Sequence, residues 1–266
     1  AAEDLRLISD LAREGGQIGL KYFGHNPETR LKEGNSPVSE ADLAVDAFLK
    51  QKLLAARPDY GWISEETADD RPPAAYRRYF IVDPIDGTRG FLHNNKQWCV
   101  SVAVVEKGRP IAGVLDCPAL GEHYTAAAGG KALLNGAPVC PAAAAQASAA
   151  RAALHPLVSA RMAELNKLPE DFAAEAEQTA HIPSLAYRLA KLARGALELV
   201  LVRPGCHDWD IAAADLILSM SGGALVDCAG QAVTYCRAPF SHEILLGARK
   251  DNLSAMLDIV SAGELG

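Results

Sequence analysis

The residues best suited to chemistry lie together at Asp83-Pro84-Ile85-Asp86-Gly87-Thr88. Two carboxylates, Asp83 and Asp86, close an apolar run, Tyr79-Phe80-Ile81-Val82, of the kind that forms a buried strand. Carboxylates set against such a run lose hydration, a cost that a cation held between them offsets. A hard divalent ion suits the task, because Mg²⁺ takes a few carboxylates and keeps other positions for water and phosphate oxygens. Pro84 stiffens the turn so that both acids can converge, and Gly87 lets the backbone bend sharply. The amides of Gly87 and Thr88 are then free to receive an anion. An acidic turn that only caps a helix is the plainer use of the same residue types.

Three other segments carry acids at the ends of predicted elements. Glu65-Glu66 follow Trp62-Ile63-Ser64, where an apolar strand would end. Asp42 falls in the first turn of a helix whose N-cap is Ser39, a place where the helix dipole favours negative charge. His207-Asp208-Trp209-Asp210 puts an acid immediately before an apolar helix predicted from Ile211 to Met220. Each of these acids alone reads as a solvated group or a cap. Four acid-bearing ends with apolar flanks are hard to explain as surface decoration and point to one shared site.

The elements that must position these residues alternate in type. Leu5, Ile8, Leu11, Ala12, Ile18, Tyr22 and Phe23 recur at helical spacing, and Ala41, Ala44, Val45, Phe48 and Leu49 do so after Ser39. Trp98–Val105, Ile111–Leu115 and His123–Ala126 read as strands of a meander joined through Lys107-Gly108. Helices are predicted over Leu185–Arg194 and Leu253–Val260, and strands over Leu197–Val202, Ala224–Asp227 and Ile244–Ala248. The pattern predicts a mixed α/β protein rather than a bundle or a sandwich. It divides into an N-terminal half, 1–145, with most of the acids, and a C-terminal half, 146–266, with Asp210, the two forming one compact unit. Ala142–Ala153 is alanine-rich and reads equally as connector or helix.

Composition excludes several classes. Of 266 residues, 49% are hydrophobic and 22% charged, so neither a disordered chain nor a coiled coil is expected. A formal charge of −7 disfavours nucleic acid polymers and anionic membranes as partners. The six cysteines form no CxxC pair, and neither a membrane-length apolar run nor a signal-like segment in Ala1–Gly16 is present. A cytoplasmic protein is expected.

Taken in order, Lys32-x-x-x-Ser36-Pro37-Val38-Ser39-x-Ala41-Asp42, Glu65-Glu66, Asp83 to Thr88 and Trp209-Asp210-Ile211-Ala212-Ala213 resemble the inositol monophosphatase-like phosphatases. Gly130-Lys131-Ala132-Leu133-Leu134-Asn135-Gly136 and Ser221-Gly222-Gly223 are similar to further landmarks of that family. The resemblance implies a layered α-β-α-β-α sandwich of the inositol monophosphatase and fructose-1,6-bisphosphatase type. It also implies a Mg²⁺-dependent, lithium-sensitive phosphomonoesterase. By resemblance, Glu65, Asp83 and the Ile85 carbonyl hold a first Mg²⁺, and Asp83, Asp86 and Asp210 hold a second. Asp42 and Thr88 orient and deprotonate the attacking water, with Glu65 in the same catalytic group and a third, weaker metal as an option. Gly87 and Thr88 receive the phosphate, and Lys32 lies on a loop near the weaker metal. Family members occur as monomers and as homodimers.

The resemblance implies a small phosphate ester as the substrate. Inositol monophosphatases usually carry a glutamate seven residues before the Trp-Asp aspartate, whereas this chain has Arg203 there. A cation in place of a hydroxyl acceptor suits a second anionic group. Ser184-Leu185 ahead of a helix resembles the 3′(2′),5′-bisphosphate nucleotidases, although Ala186 stands where that branch has lysine. Arg188 and Lys191 lie further along the same helix. Ser184 and Arg203 are therefore the expected substrate residues, and 3′-phosphoadenosine 5′-phosphate the expected substrate. An inositol or sugar phosphate phosphatase and a regulatory binding protein of the same fold are the alternatives.

Overall fold

The structure, a computed structural model, describes residues 1–31, 37–69, 76–139, 157–160 and 162–263. Lys32, Ser36, Cys140 and the Ala142–Ala153 segment lie outside the described residues.

The chain opens with α1 (Ala2–Tyr22), the short strands β1 (Thr29–Leu31) and β2 (Pro37–Ser39), and α2 (Glu40–Ala56). A seven-stranded sheet follows: β3 (Gly61–Ser64), β4 (Arg78–Asp86), β5 (Cys99–Glu106), β6 (Arg109–Cys117), β7 (Glu122–Ala127), β8 (Leu133–Leu134) and β9 (Ala137–Pro138), in sequence order. Only β3 and β4 pair parallel, and the short helix α3 (Thr88–Leu92) leaves the end of β4.

The second half begins with β10 (Leu157–Ser159), α4 (Met162–Leu165), α5 (Glu170–Glu175), β11 (Glu177–Gln178) and α6 (Leu185–Ala193). It continues through β12 (Leu199–Val202), β13 (Cys206–His207), α7 (Asp208–Met220), β14 (Gly223–Asp227), β15 (Ser241–His242), β16 (Leu245–Arg249) and α8 (Lys250–Ala262). The order β11-β10-β12-β16-β14 gives a second sheet of five strands.

Period-two burial along the strands builds five layers. Phe80 and Val82 of β4, with Val100, Val102 and Val104 of β5, face Ile8, Leu11 and Ala12 of α1 and Val45, Leu49 and Leu53 of α2. Ile81, Ala103 and Val105 point the other way, onto α6 and α7, whose far side meets Val200 and Val202 of β12 and Leu245 of β16. Leu199, Leu201, Leu246 and Ala248 then cover Met256 and Val260 of α8. The expected α-β-α-β-α sandwich is therefore observed. None of the described helices is long and apolar enough to cross a membrane.

Two of the shifts in predicted boundaries bear on the site. Asp83 to Asp86 is the end of β4 rather than a turn after it. The ladder with β5 pairs Asp83 with Ser101 and Asp86 with Cys99, so three steps on β4 oppose two on β5. That is a bulge of one residue, placed where Pro84 has no N–H to donate. In a regular strand residues three apart point to opposite faces, and the bulge returns Asp86 to the side of Asp83. In addition, α7 begins at Asp208 rather than Ile211, which places Asp210 inside its first turn.

Candidate active site

Three elements, α2, β4 and α7, deliver four acids to one region, and each acid is held by hydrogen bonds from backbone amides or hydroxyl groups. Asp42 is the third residue of α2 and closes a capping box: its Oδ2 accepts the Ser39 N–H at 2.8 Å and the Ser39 hydroxyl at 2.5 Å. Asp210 occupies the equivalent position of α7, where its Oδ2 accepts the His207 N–H at 2.6 Å. Asp83 Oδ1 accepts the Ile85 N–H at 3.0 Å, which orients the carboxylate within the bulge. Asp86 is held by the N-terminus of α6: its Oδ2 accepts the Ser184 hydroxyl at 2.5 Å and the Ala186 N–H at 2.6 Å. Its Oδ1 accepts the Leu185 N–H at 3.3 Å, and the α6 dipole favours the carboxylate there.

Asp83, Asp86 and Asp210 each offer an oxygen within 4.8 Å of the others. Burial pushes the Asp83 carboxyl well above the usual carboxylate range, and Glu65, Asp86 and Asp210 push it further. Burial raises Asp86 to about 6, against the lowering effect of its Ser184 and Ala186 hydrogen bonds. Burial and the Asp86 charge likewise raise Asp210. Crowded carboxylates repel one another as ions, and a divalent cation among them turns that repulsion into ligation. The all-oxygen donor set fits Mg²⁺ or a similar hard ion, with Asp83, Asp86 and Asp210 able to hold it and Glu65 near enough for its charge to raise Asp83.

Thr88 links the acids of α2 to β4. Its Oγ1 lies 2.9 Å from Asp42 Oδ1 and 3.0 Å from the Ile85 carbonyl, so its one proton is given to one acceptor at a time. Asp42 is buried, and desolvation raises its pKa. Gly87 adopts φ +95, and a Cβ there would lie 3.1 Å from the Ser184 backbone nitrogen, so the turn and the close approach of α6 both call for glycine.

The two expected substrate residues differ in exposure. Ser184 is fully buried behind Asp86, its hydroxyl engaged with that carboxylate while also accepting the Tyr187 N–H at 2.9 Å. Arg203 is exposed in the turn after β12. Half-buried Arg188 is placed so that its charge lowers the pKa of both Asp86 and Asp210.

Sequence reasoning missed a cleft of about 480 Å³ beside Glu65, walled by Trp62, Tyr76, Tyr79, Trp209 and Phe240. The Trp209 ring stacks on His207 with centroids 4.5 Å apart. Only the Trp-Asp pair carried a signal for this wall. Tyr76 and Tyr79 lie three residues apart around the start of β4, and Phe240 comes from a distant segment.

The family model described as the inositol monophosphatase family matches residues 2–262. The chain belongs to the inositol monophosphatase family. It is 29% identical over 245 residues to a 3′(2′),5′-bisphosphate nucleotidase of Aggregatibacter actinomycetemcomitans, covering 87% of each chain. It is 30% identical over 236 residues to an inositol-1-monophosphatase of Mesorhizobium japonicum, covering 85% of this chain and 86% of that one. A histidinol-phosphatase of Chlorobaculum parvum is 40% identical over 147 residues, a match spanning 55% of this chain and 56% of that protein. The solved structure of an extragenic suppressor protein from Bartonella henselae superposes with TM-score 0.82 at 24% identity, covering 98% and 99% of the two chains. As a member of this family, the chain is a phosphoric monoester hydrolase.

Proposed function

We propose that this inositol monophosphatase family member removes the 3′(2′) phosphate of a nucleoside 3′(2′),5′-bisphosphate, converting 3′-phosphoadenosine 5′-phosphate to AMP and phosphate. The observation that carries the choice of substrate is the aromatic wall of the cleft beside Glu65. Flat π-faced side chains suit a heteroaromatic leaving group better than a polyol, whose hydroxyls need polar partners. The resemblance of 87% of the chain to a bisphosphate nucleotidase supports the same reading.

In this assignment Glu65, Asp83 and the Ile85 carbonyl would hold one Mg²⁺, and Asp83, Asp86 and Asp210 would hold a second. When bound, the ions lower the pKa of water and stabilise charge on the leaving oxygen. Thr88 and Asp42 orient the attacking water and take its proton through the hydroxyl–carboxylate pair. The amides of Gly87 and Thr88 receive the phosphate. Ser184 acts on Asp86 as a positioning residue. Ser184→Ala is therefore expected to raise the Mg²⁺ concentration for half-maximal activity by about 10–100-fold, the usual cost of losing a group that orients a ligand. A Mg²⁺ titration of phosphate release checks this, and an unchanged half-saturation would remove Ser184 from the metal site.

The deciding experiment measures phosphate release, with and without Mg²⁺, from 3′-phosphoadenosine 5′-phosphate, inositol 1-phosphate, fructose 1,6-bisphosphate and histidinol phosphate at equal concentration. A Mg²⁺-dependent preference for the nucleotide is expected. Preference for inositol phosphate or histidinol phosphate would overturn the nucleotidase reading, and no release from any would point to a regulatory binding protein.

A further inference from the structure

β3 is the edge strand of the seven-stranded sheet, and its pairing with β4 ends where Ser64 meets Val82. Glu65 is the next residue, half-buried, with its N–H donated to the Val82 carbonyl at 3.2 Å. Beyond that bond the ladder stops. The path of the chain through Glu65, and with it the direction of the carboxylate, must be set by something other than strand pairing.

A second acid of α2 supplies the constraint. Asp46 is fully buried, and its Oδ1 accepts the Ser64 hydroxyl at 2.5 Å while its Oδ2 accepts the Thr67 hydroxyl at 2.6 Å. One carboxylate thus grips the residue before Glu65 and the residue two after it. The same hydroxyls organise the rest of the turn. Ser64 Oγ accepts the Glu66 N–H at 3.3 Å, and Thr67 Oγ1 accepts the Trp62 indole N–H at 3.1 Å. Lys50, one turn further along α2, donates to the Ala68 carbonyl at 2.8 Å.

Asp42, Asp46 and Lys50 are spaced by four residues and share one face of α2, each step rising about 6 Å along the helix. On that face Asp42 meets Thr88, and Asp46 meets the turn that carries Glu65. A buried carboxylate is costly unless it is hydrogen-bonded, and an apolar residue at 46 would avoid that cost. What an apolar residue could not do is fix two hydroxyls in direction as well as in place, as short charge-assisted bonds do.

We infer that Asp46 is a positioning residue that fixes Glu65 for metal binding through the hydroxyls of Ser64 and Thr67. The inference deepens the proposed function and rests on its assignment of Glu65 to a Mg²⁺.

The test follows Mn²⁺ binding without substrate, by the electron paramagnetic resonance signal of the free ion. Mn²⁺ stands in for Mg²⁺ because both take oxygen ligands. The proteins compared are the wild type, Glu65→Gln, Asp46→Asn and the double variant, at a temperature where each has the wild-type far-ultraviolet circular dichroism. Asp46→Asn keeps the shape of the side chain and replaces one acceptor oxygen by an amide that only donates. Its apparent dissociation constant for Mn²⁺ should rise about 10–100-fold, the usual cost of losing a group that orients a ligand. Because Asp46 acts through Glu65, the double variant should bind little more weakly than Glu65→Gln alone. Thr67→Val, which removes one of the two hydroxyls, should weaken binding several-fold and Thr67→Ser should restore it; this pair carries the test if Asp46→Asn does not fold. Wild-type Mn²⁺ binding by Asp46→Asn or by Thr67→Val, with Glu65→Gln impaired, overturns the inference and leaves Glu65 as a ligand. Losses that multiply in the double variant also overturn it, since Asp46 would then act on the ion by another route. Wild-type binding by Glu65→Gln removes Glu65 from the metal site, and the inference falls with that assignment.

Discussion

Asp83→Asn is expected to reduce Mg²⁺-dependent phosphate release by at least about 10³-fold while leaving the fold intact and the metal-free protein as stable as the wild type, or more so. The two halves of this expectation have one cause. Asp83 is buried and lies among Glu65, Asp86 and Asp210, which oppose its ionisation. An amide of the same shape removes one charge from that cluster and can still accept the Ile85 N–H, so the bulge in β4 keeps its internal hydrogen bond. What the amide would not do is hold a divalent cation as the carboxylate would, because it carries no charge and is a poorer ligand. Three measurements check this: phosphate release, the thermal midpoint without metal, and the rise of that midpoint on adding Mg²⁺. Loss of activity and of the Mg²⁺-induced rise, with the metal-free midpoint retained, is the expected pattern. Full activity with Mg²⁺ would remove Asp83 from the metal site, and a collapsed fold would mean that its role is structural.

The acids were legible in the sequence because a cation site needs a particular residue type at the end of an apolar element, and both features are local. The family resemblance groups Asp83, Asp86 and Asp210 as ligands, and their oxygens lie within 4.8 Å of one another. How they converge was not legible. A stiff turn at Pro84 was the expected device, whereas the structure uses a bulge whose extra residue shows only in the register with β5. The start of α7 was misplaced for a similar reason. Asp208 is buried, its carboxylate accepting from Cys236 at 2.7 Å and lying 2.7 Å from His242 Nε2, and those partners are distant in sequence. Ser184 is expected from the resemblance to touch substrate, whereas it caps α6 through the Tyr187 N–H and gives its own proton to Asp86, ninety-eight residues away. The aromatic cleft was the least legible feature, because its walls come from β3, β4, α7 and the segment before β15. Pairing between segments creates such a surface, and no single stretch of sequence records it.

The second large effect expected is at Thr88. Thr88→Val keeps the shape of the side chain and removes only the hydroxyl that joins Asp42 to the Ile85 carbonyl. If that hydroxyl orients the attacking water and passes its proton to Asp42, kcat should fall by about 10²–10⁴-fold with a much smaller change in KM. The Mg²⁺-induced rise in thermal midpoint should persist, because Thr88 offers no carboxylate to the ions. Stability should also drop by about 1–3 kcal/mol, since Asp42 is buried and one of its oxygens loses its donor. A purely structural role would produce that second change without the first. Thr88→Ser, which restores the hydroxyl, should recover most of the lost kcat, and this rescue is the control for packing. Asp42→Asn provides the coupling test. It leaves an oxygen to accept the Thr88 proton in a hydrogen bond but removes the charge needed to keep it. Residues that act as one proton-accepting unit lose activity non-additively, so Asp42→Asn/Thr88→Val should be little worse than either single variant. Losses that multiply would mean that the two side chains act independently, and the hydroxyl–carboxylate pair would then have to be abandoned as the route for the proton.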